Sequence, residues 1–245
     1  YNNMSVNDQL NFLGAVNATL GRDSAIFFDQ LRTDGSSTSQ AIAGQAMAHG
    51  DRVGAKMILQ GNEIKRKMKG DTKELRMDLT AEFRTIAGTA FRGNSTHRKA
   101  LEAAYIDAYL GLAQNMGYQF DTMERGSAWY EFKNDPDISA KAFEIATGGI
   151  VEFNDVKIAA PGRNVTQGVW DGWIDGLTPA RIEAMGGTPN DVSSEEFLDR
   201  IEDGTYRLED TDKPGRYVVR QGVNVIRNNE GNVFFLDYDG PTYVR

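Results

Sequence analysis

A chain of 245 residues that is 40% apolar and 10% aromatic can build one large core or two ordinary ones. Its complete lack of cysteine removes disulfides, zinc ribbons and thiol catalysis together. A formal net charge of -8 argues against generic nucleic-acid binding, which needs a positive footprint over the phosphates. The mean hydropathy of -0.48, with no apolar run near the roughly 20 residues of a spanning helix, argues against a transmembrane segment. A chain that opens on Tyr1 with no apolar h-region behind it reads as a piece of something longer, without a visible signal peptide.

In chain order, Val6, Leu10, Phe12, Leu13 and Val16 can share one helix face, with Asn3 or Ser5 as cap. Residues 24–31 form a second short helix with Asp23 as its cap, and Asp34-Gly35-Ser36-Ser37 reads as a loop. From about Ser37 a helical pattern runs through Ala41, Met47, Val53, Met57, Ile58 and Ile64. That run carries Gly44, Gly50, Gly54 and Gly61, each costing about 1 kcal/mol against alanine in a helix interior. Either close helix–helix packing offsets them, or Gly50 or Gly61 breaks the run. The best single helix is 98–118, where Leu101, Ala104, Tyr105, Ala108, Leu112 and Met116 recur at helical spacing. Asn94, Ser95 and Thr96 are its N-cap candidates and Gly117 sits at the C′ position. Asp135-Pro136 opens another helix, closed by Gly148-Gly149.

After Gly149 the pattern changes. Residues 150–153 and 156–158 form a small hairpin across Asn154-Asp155. Three short helices follow: one carrying Val169, Trp170, Trp173 and Ile174, one opened by Thr178-Pro179, and one opened by the capping box Ser193-x-x-Glu196. Strands are expected at 206–208, 216–220, 223–227 and 233–236, with Asn228-Asn229-Glu230-Gly231 as the hairpin loop between the last two. The fold class is therefore α+β, a mostly helical region over 1–148 followed by a small mixed domain with antiparallel strands over 149–245.

Candidate chemistry is sparse. The two histidines, His49 and His97, fall in different elements without neighbours at metal spacing, and there is no G-x-S-x-G elbow for a serine nucleophile. Glu124 and Glu131, close to Asp135, Asp137, Trp129 and Tyr130, are the only carboxylates placed as a sugar-cleaving pair would be. They are the alternative catalytic residues, in a chain otherwise read as non-catalytic. Gly111-Leu112-Ala113-Gln114 is similar to the Gly-Leu-x-Gln element of lytic transglycosylases, but the glutamate upstream in this helix, Glu102, is followed by Ala103 and stands at the wrong distance. Asp210-x-Asp212 and Asp237-x-Asp239-Gly240 lack the further ligands of a calcium loop, so no metal or cofactor is expected. Lys65, Arg66, Lys67, Lys69, Lys73 and Arg76 form the one basic run, interleaved with Glu63, Asp71, Glu74 and Asp78 as on a solvated helix face. Contact with DNA through Lys65, Arg66 and Lys67, or with a glycan through Trp170 and Trp173, is the binding alternative.

One family resemblance lies in residues 137–240. The stretch Ala142-Phe143-Glu144-Ile145-Ala146-Thr147-Gly148-Gly149 leads into Val151-Glu152-Phe153-Asn154, then Ile158-Ala159-Ala160-Pro161-Gly162, and later Gly204-Thr205-Tyr206-Arg207. This order resembles the C-terminal region of large phage internal virion proteins, the ejected kind that often carry a peptidoglycan-cleaving domain elsewhere. The resemblance implies a structural or DNA-ejection role and a location in the virion or, after ejection, the host envelope. It also implies other virion proteins and further copies of the chain as partners. It transfers no site residue.

Overall fold

The computed structural model describes residues 4–33, 38–68, 72–92, 95–118, 120, 135–211 and 213–240. The architecture is α+β, with ten helices among the described residues, most of them in the first part, and antiparallel strands in the C-terminal part. Two compact units share the chain: residues 1–86 with 96–147, and residues 87–95 with 148–245. The sequence divides the chain once, near 148. In the structure the short connection 87–95 also belongs to the second unit.

In the first unit, α1 (Val6–Leu20) starts at Ser5, whose hydroxyl accepts the Asp8 N–H at 3.2 Å. A 3₁₀ turn (Gly21–Asp23) leads directly into α2 (Ser24–Thr33), so Asp23 lies in that turn rather than capping α2 from an extended backbone. The long helical pattern breaks once. Helix α3 (Thr38–Ala48) ends before Gly50, whose φ of +81° lies in the left-handed region. Asp51 then caps α4 (Arg52–Lys67) by accepting the Gly54 N–H at 2.7 Å, and α4 runs through Gly61 without interruption. Helix α5 spans Lys73–Ala87 and α6 Ser95–Asn115.

The sequence places a single apolar stripe on α6. The structure buries this helix almost all round, including Ile106, Tyr109, Leu110, Gly111, Ala113 and the charged Asp107, because it is the centre of its unit. Helix α7 (Pro136–Thr147) is capped by Asp135, whose Oδ1 accepts the Asp137 and Ile138 N–H groups at 2.9 and 3.2 Å.

In the second unit, β1 (Ile150–Phe153) and β2 (Val156–Ala159) form a two-stranded hairpin. Its turn residues Asn154 and Asp155 take φ of +48° and +60°, as a type I′ turn requires. Helices α8 (Gln167–Asp175), α9 (Pro179–Gly186) and α10 (Ser194–Glu202) follow. Only half of the expected capping box is formed. Ser193 accepts the Glu196 N–H at 3.2 Å, while the Glu196 carboxylate is taken by Arg200 at 2.7 Å.

The second sheet is built on β4 (Arg216–Gln221), with β3 (Arg207–Asp210) along one edge. Strands β5 (Asn224–Val225) and β6 (Phe235–Asp237) share the other edge end to end. The expected hairpin between 223–227 and 233–236 is thus reduced to one bridge, Arg227 with Val233. The reason is Asn228, whose Oδ1 accepts the Glu230 and Asn232 N–H groups at 3.1 and 3.0 Å while its amide donates to the Gly186 carbonyl. This looped segment pairs with the α9–α10 connection instead, through Pro189 and Asn228. The core between hairpin, sheet and helices holds Trp170, Tyr217, Phe197, Phe234, Ile182 and Leu236, all at most 1% exposed.

Candidate functional site

The basic run divides between two helices. Lys65, Arg66 and Lys67 end α4, while Lys73 and Arg76 lie on α5. Lys67 reaches Glu63 at 2.5 Å, one helical turn back. Lys65 turns inward instead. Its Nζ lies 2.5 Å from Oδ1 of Asp107, a side chain with no solvent exposure, and Asn62 donates to the other carboxylate oxygen at 3.1 Å. Arg66 is exposed.

This ion pair sits beside a glycine crossing. A Cβ on Gly61 would collide with the Asp107 carbonyl, and a Cβ on Gly111 would collide with the Met57 carbonyl. Each of α4 and α6 therefore presents a glycine to the other's backbone, and the gain in packing offsets the helix-propensity cost of both. Gly111, the first residue of the Gly-Leu-Ala-Gln stretch, is thus a packing residue. The upstream Glu102 is held by Arg84 at 3.0 Å and Arg98 at 3.6 Å.

Glu124, Glu131, Trp129 and Tyr130 lie outside the described residues. Near the start of α7 the structure brings together a polar group that sequence reasoning missed. Ser139 donates to Glu82 of α5, and the buried tyrosines Tyr105 and Tyr109 of α6 lie alongside. Burial first, and the Glu82 charge with it, raises both phenols well above their ordinary value, so they stay neutral. The Tyr105 hydroxyl finds no well-aligned partner. Nothing local announces this cluster, because Glu82 and Ser139 stand 57 positions apart.

An open groove of about 540 Å³ follows α5, lined by Thr72, Lys73, Arg76, Met77, Thr80, Ala81 and Arg84. These residues come from one helix and its leading residue, so among the described residues no second wall brings converging polar groups to a substrate. His49 and His97, both half-buried, lie at the end of α3 and in the first turn of α6. Among the described residues, no three His, Asp or Glu side chains gather as a metal site would need. No helix among them is long and apolar enough to cross a membrane.

In the second unit Trp170 and Trp173 are 0% and 6% exposed. Their ring centroids lie 5.1 Å apart, and Trp170 packs edge-on against Tyr217 at 5.3 Å. Both indoles are filled in on their faces and offer no open platform for a glycan. Trp173 Nε1 donates to Asp239 at 2.7 Å, and Arg181 also binds that carboxylate. Against the cost of partial burial, these two donors hold Asp239 below the usual carboxylate range. Asp237 is gripped by the Arg216 guanidinium through bonds of 2.6 and 2.7 Å.

Asp210 is the buried acid of this unit. Its Oδ2 accepts the Phe91 N–H and its Oδ1 the Ala159 N–H, both at 2.7 Å, while the Tyr217 hydroxyl donates to the Ala159 carbonyl. Burial pushes its carboxyl up to about 6 against the pull of the two N–H donors. Asp210, Asp237 and Asp239, which sequence spacing offers as calcium ligands, are in this way each committed to protein donors.

Comparisons with protein-family models, curated proteins and solved structures find no match to this chain. Eight large hydrophobic side chains are exposed among the described residues, and five of them (Phe12, Leu20, Ile26, Phe27 and Val53) belong to α1, α2 and the start of α4.

Proposed function

We propose that this chain is a structural component of a bacteriophage particle, an internal virion, ejection or tail-associated protein that assists genome delivery through assembly contacts. The observation that carries the assembly half of this reading is the division of labour among side chains. Lys65 and Asp107 are tied to one another, as are Arg216 and Asp237, and Asp210 is tied to backbone N–H groups, while large apolar side chains stay uncovered on the helical unit. The phage half rests on the order of elements over 137–240, whose quoted residues serve turns, caps and core. Other virion proteins and further copies of the chain are its partners in this reading. Contact with DNA is a lesser part of it, since Lys65 and Lys67 are already held by Asp107 and Glu63.

Quantitative mass spectrometry of purified particles from a lysate that produces this chain tests the proposal. A fixed copy number per intact particle, lost after triggered ejection, is expected. Absence from particles overturns it. A peptidoglycan zymogram covers the enzymatic alternative: clearing that disappears in Glu124→Gln or Glu131→Gln would replace an assembly role with glycan cleavage.

A further inference from the structure

We propose that residues 87–92 form a strap that opens and recloses on the mixed unit while that unit stays folded, with the Asp210 carboxylate as its catch. The strap is the chain that leads from α5 to α6, and its opening stands apart from the phage reading above.

Residues 87–92 belong to the mixed unit through packing and side-chain bonds. Among the described residues, the strand ladders and bridges of that unit do not include them. Ala90 and Phe91 are 0% and 3% exposed, and the flanking Thr89 and Arg92 face solvent. The Phe91 N–H donates to Oδ2 of Asp210 and the Thr89 hydroxyl donates to the Lys157 carbonyl, each at 2.7 Å. Asp210 therefore divides its carboxylate between a fixed and a movable partner. Its Oδ1 accepts the Ala159 N–H and ties the end of β2 to β3, while its Oδ2 holds the strap.

Closure carries two costs at one point. Phe91 sits at a φ of +62°, where a residue with a Cβ is strained, whereas Gly88 takes +56° freely. The Asp210 carboxylate is drawn out of water, and Glu209 beside it adds a like charge. Opening relieves both, since Phe91 returns to an ordinary backbone and water reaches the acid. What closure gains is the burial of one ring and two side-chain hydrogen bonds, all local to the strap. Strain of this kind persists only where surrounding contacts hold it, and it gathers in segments that switch. A segment with few ties opens at a lower free energy than the sheet it lies on. Six released residues extend to about 20 Å, so opening gives the α5–α6 connection slack without breaking a strand pair.

Hydrogen exchange of the full chain, followed peptide by peptide, tests the strap. After correction for intrinsic rates, the amides of 88–92 should exchange at least about tenfold faster than those of the central strand β4. Asp210→Ala removes the catch and should speed 88–92 by about a further tenfold. Thr89→Val removes only the exposed tie and should speed the same amides roughly threefold to tenfold, with β4 unchanged. This second variant keeps the buried acid, so it interrogates the strap even where Asp210→Ala unfolds the unit. Wild-type exchange of 88–92 at the pace of β4 overturns the proposal, because the segment then opens only with the whole unit. A Thr89→Val chain in which 88–92 and β4 loosen equally, or in which neither loosens, overturns it as well.

Discussion

The buried carboxylate of Asp210 accepts the backbone N–H of Phe91 at 2.7 Å across 119 positions of sequence. Phe91 itself holds a φ of +62°, a left-handed conformation that is unusual for a bulky residue, and is 3% exposed. Asp210 thus fastens residues 87–95 to the mixed unit that otherwise spans 148–245, with Ala159 of β2 on its other oxygen.

This clasp has a pH signature. The Asp210 carboxyl rises from an ordinary 3.8 to about 6, chiefly through burial, so between those values the folded state keeps a proton that the unfolded chain has released. The stability contributed by this group is fully present below about pH 4 and is lost as pH rises through about 6. A rise of that size corresponds to roughly 3 kcal/mol. Chemical denaturation at several pH values should therefore show the stability gap between wild type and Asp210→Asn shrinking from about pH 4 to about pH 7. A gap that widens instead would mean the two N–H donors outweigh burial.

Gly61 and Gly111 should tolerate no side chain. Alanine at either position drives a methyl group into the opposite helix's carbonyl and forces α4 and α6 apart. A loss of about 3 kcal/mol is expected for each, at the upper end of overpacking costs, whereas alanine at Gly14, where a Cβ meets open space, should be neutral or stabilising. Thermal melts of the three variants check the contrast.

The pair Lys65–Asp107 predicts non-additivity. Lys65→Met leaves a fully buried carboxylate held by Asn62 alone and should cost about 3 kcal/mol. Lys65→Met combined with Asp107→Leu removes both charges and should lie closer to wild type than either single change. A double-mutant cycle measures this, and additive losses would show the two charges are not coupled.

Trp170 should behave as core and not as a ligand platform. Trp170→Ala is expected to cost about 3–5 kcal/mol, because an unexposed indole packed against Phe153, Trp173 and Tyr217 is removed. A small loss in urea denaturation would indicate an indole that is accessible after all.

The caps are legible in the sequence because they are local. Ser5, Asp135-Pro136, Thr178-Pro179 and Ser193 each bond N–H groups two or three residues on, so spacing alone announces them. The type I′ turn at Asn154-Asp155 and the switch from helical to alternating pattern after Gly149 belong to the same class, and with them the α+β assignment. The Glu63–Lys67 pair, one turn apart, is equally readable.

Tertiary structure decided the rest, for one physical reason: identical local signals have different outcomes depending on what arrives from far along the chain. Gly50 and Gly61 look alike in an apolar-periodic run, yet one turns the backbone and the other meets a carbonyl of α6. Lys65 and Lys67 stand two residues apart in one basic run, but only Lys65 finds a buried acid 42 positions away. Asp210 reads as a strand-end carboxylate until Phe91 and Ala159 close around it. Local propensity set the elements of this protein; long-range packing, burial and partner supply set the role of each polar side chain within them.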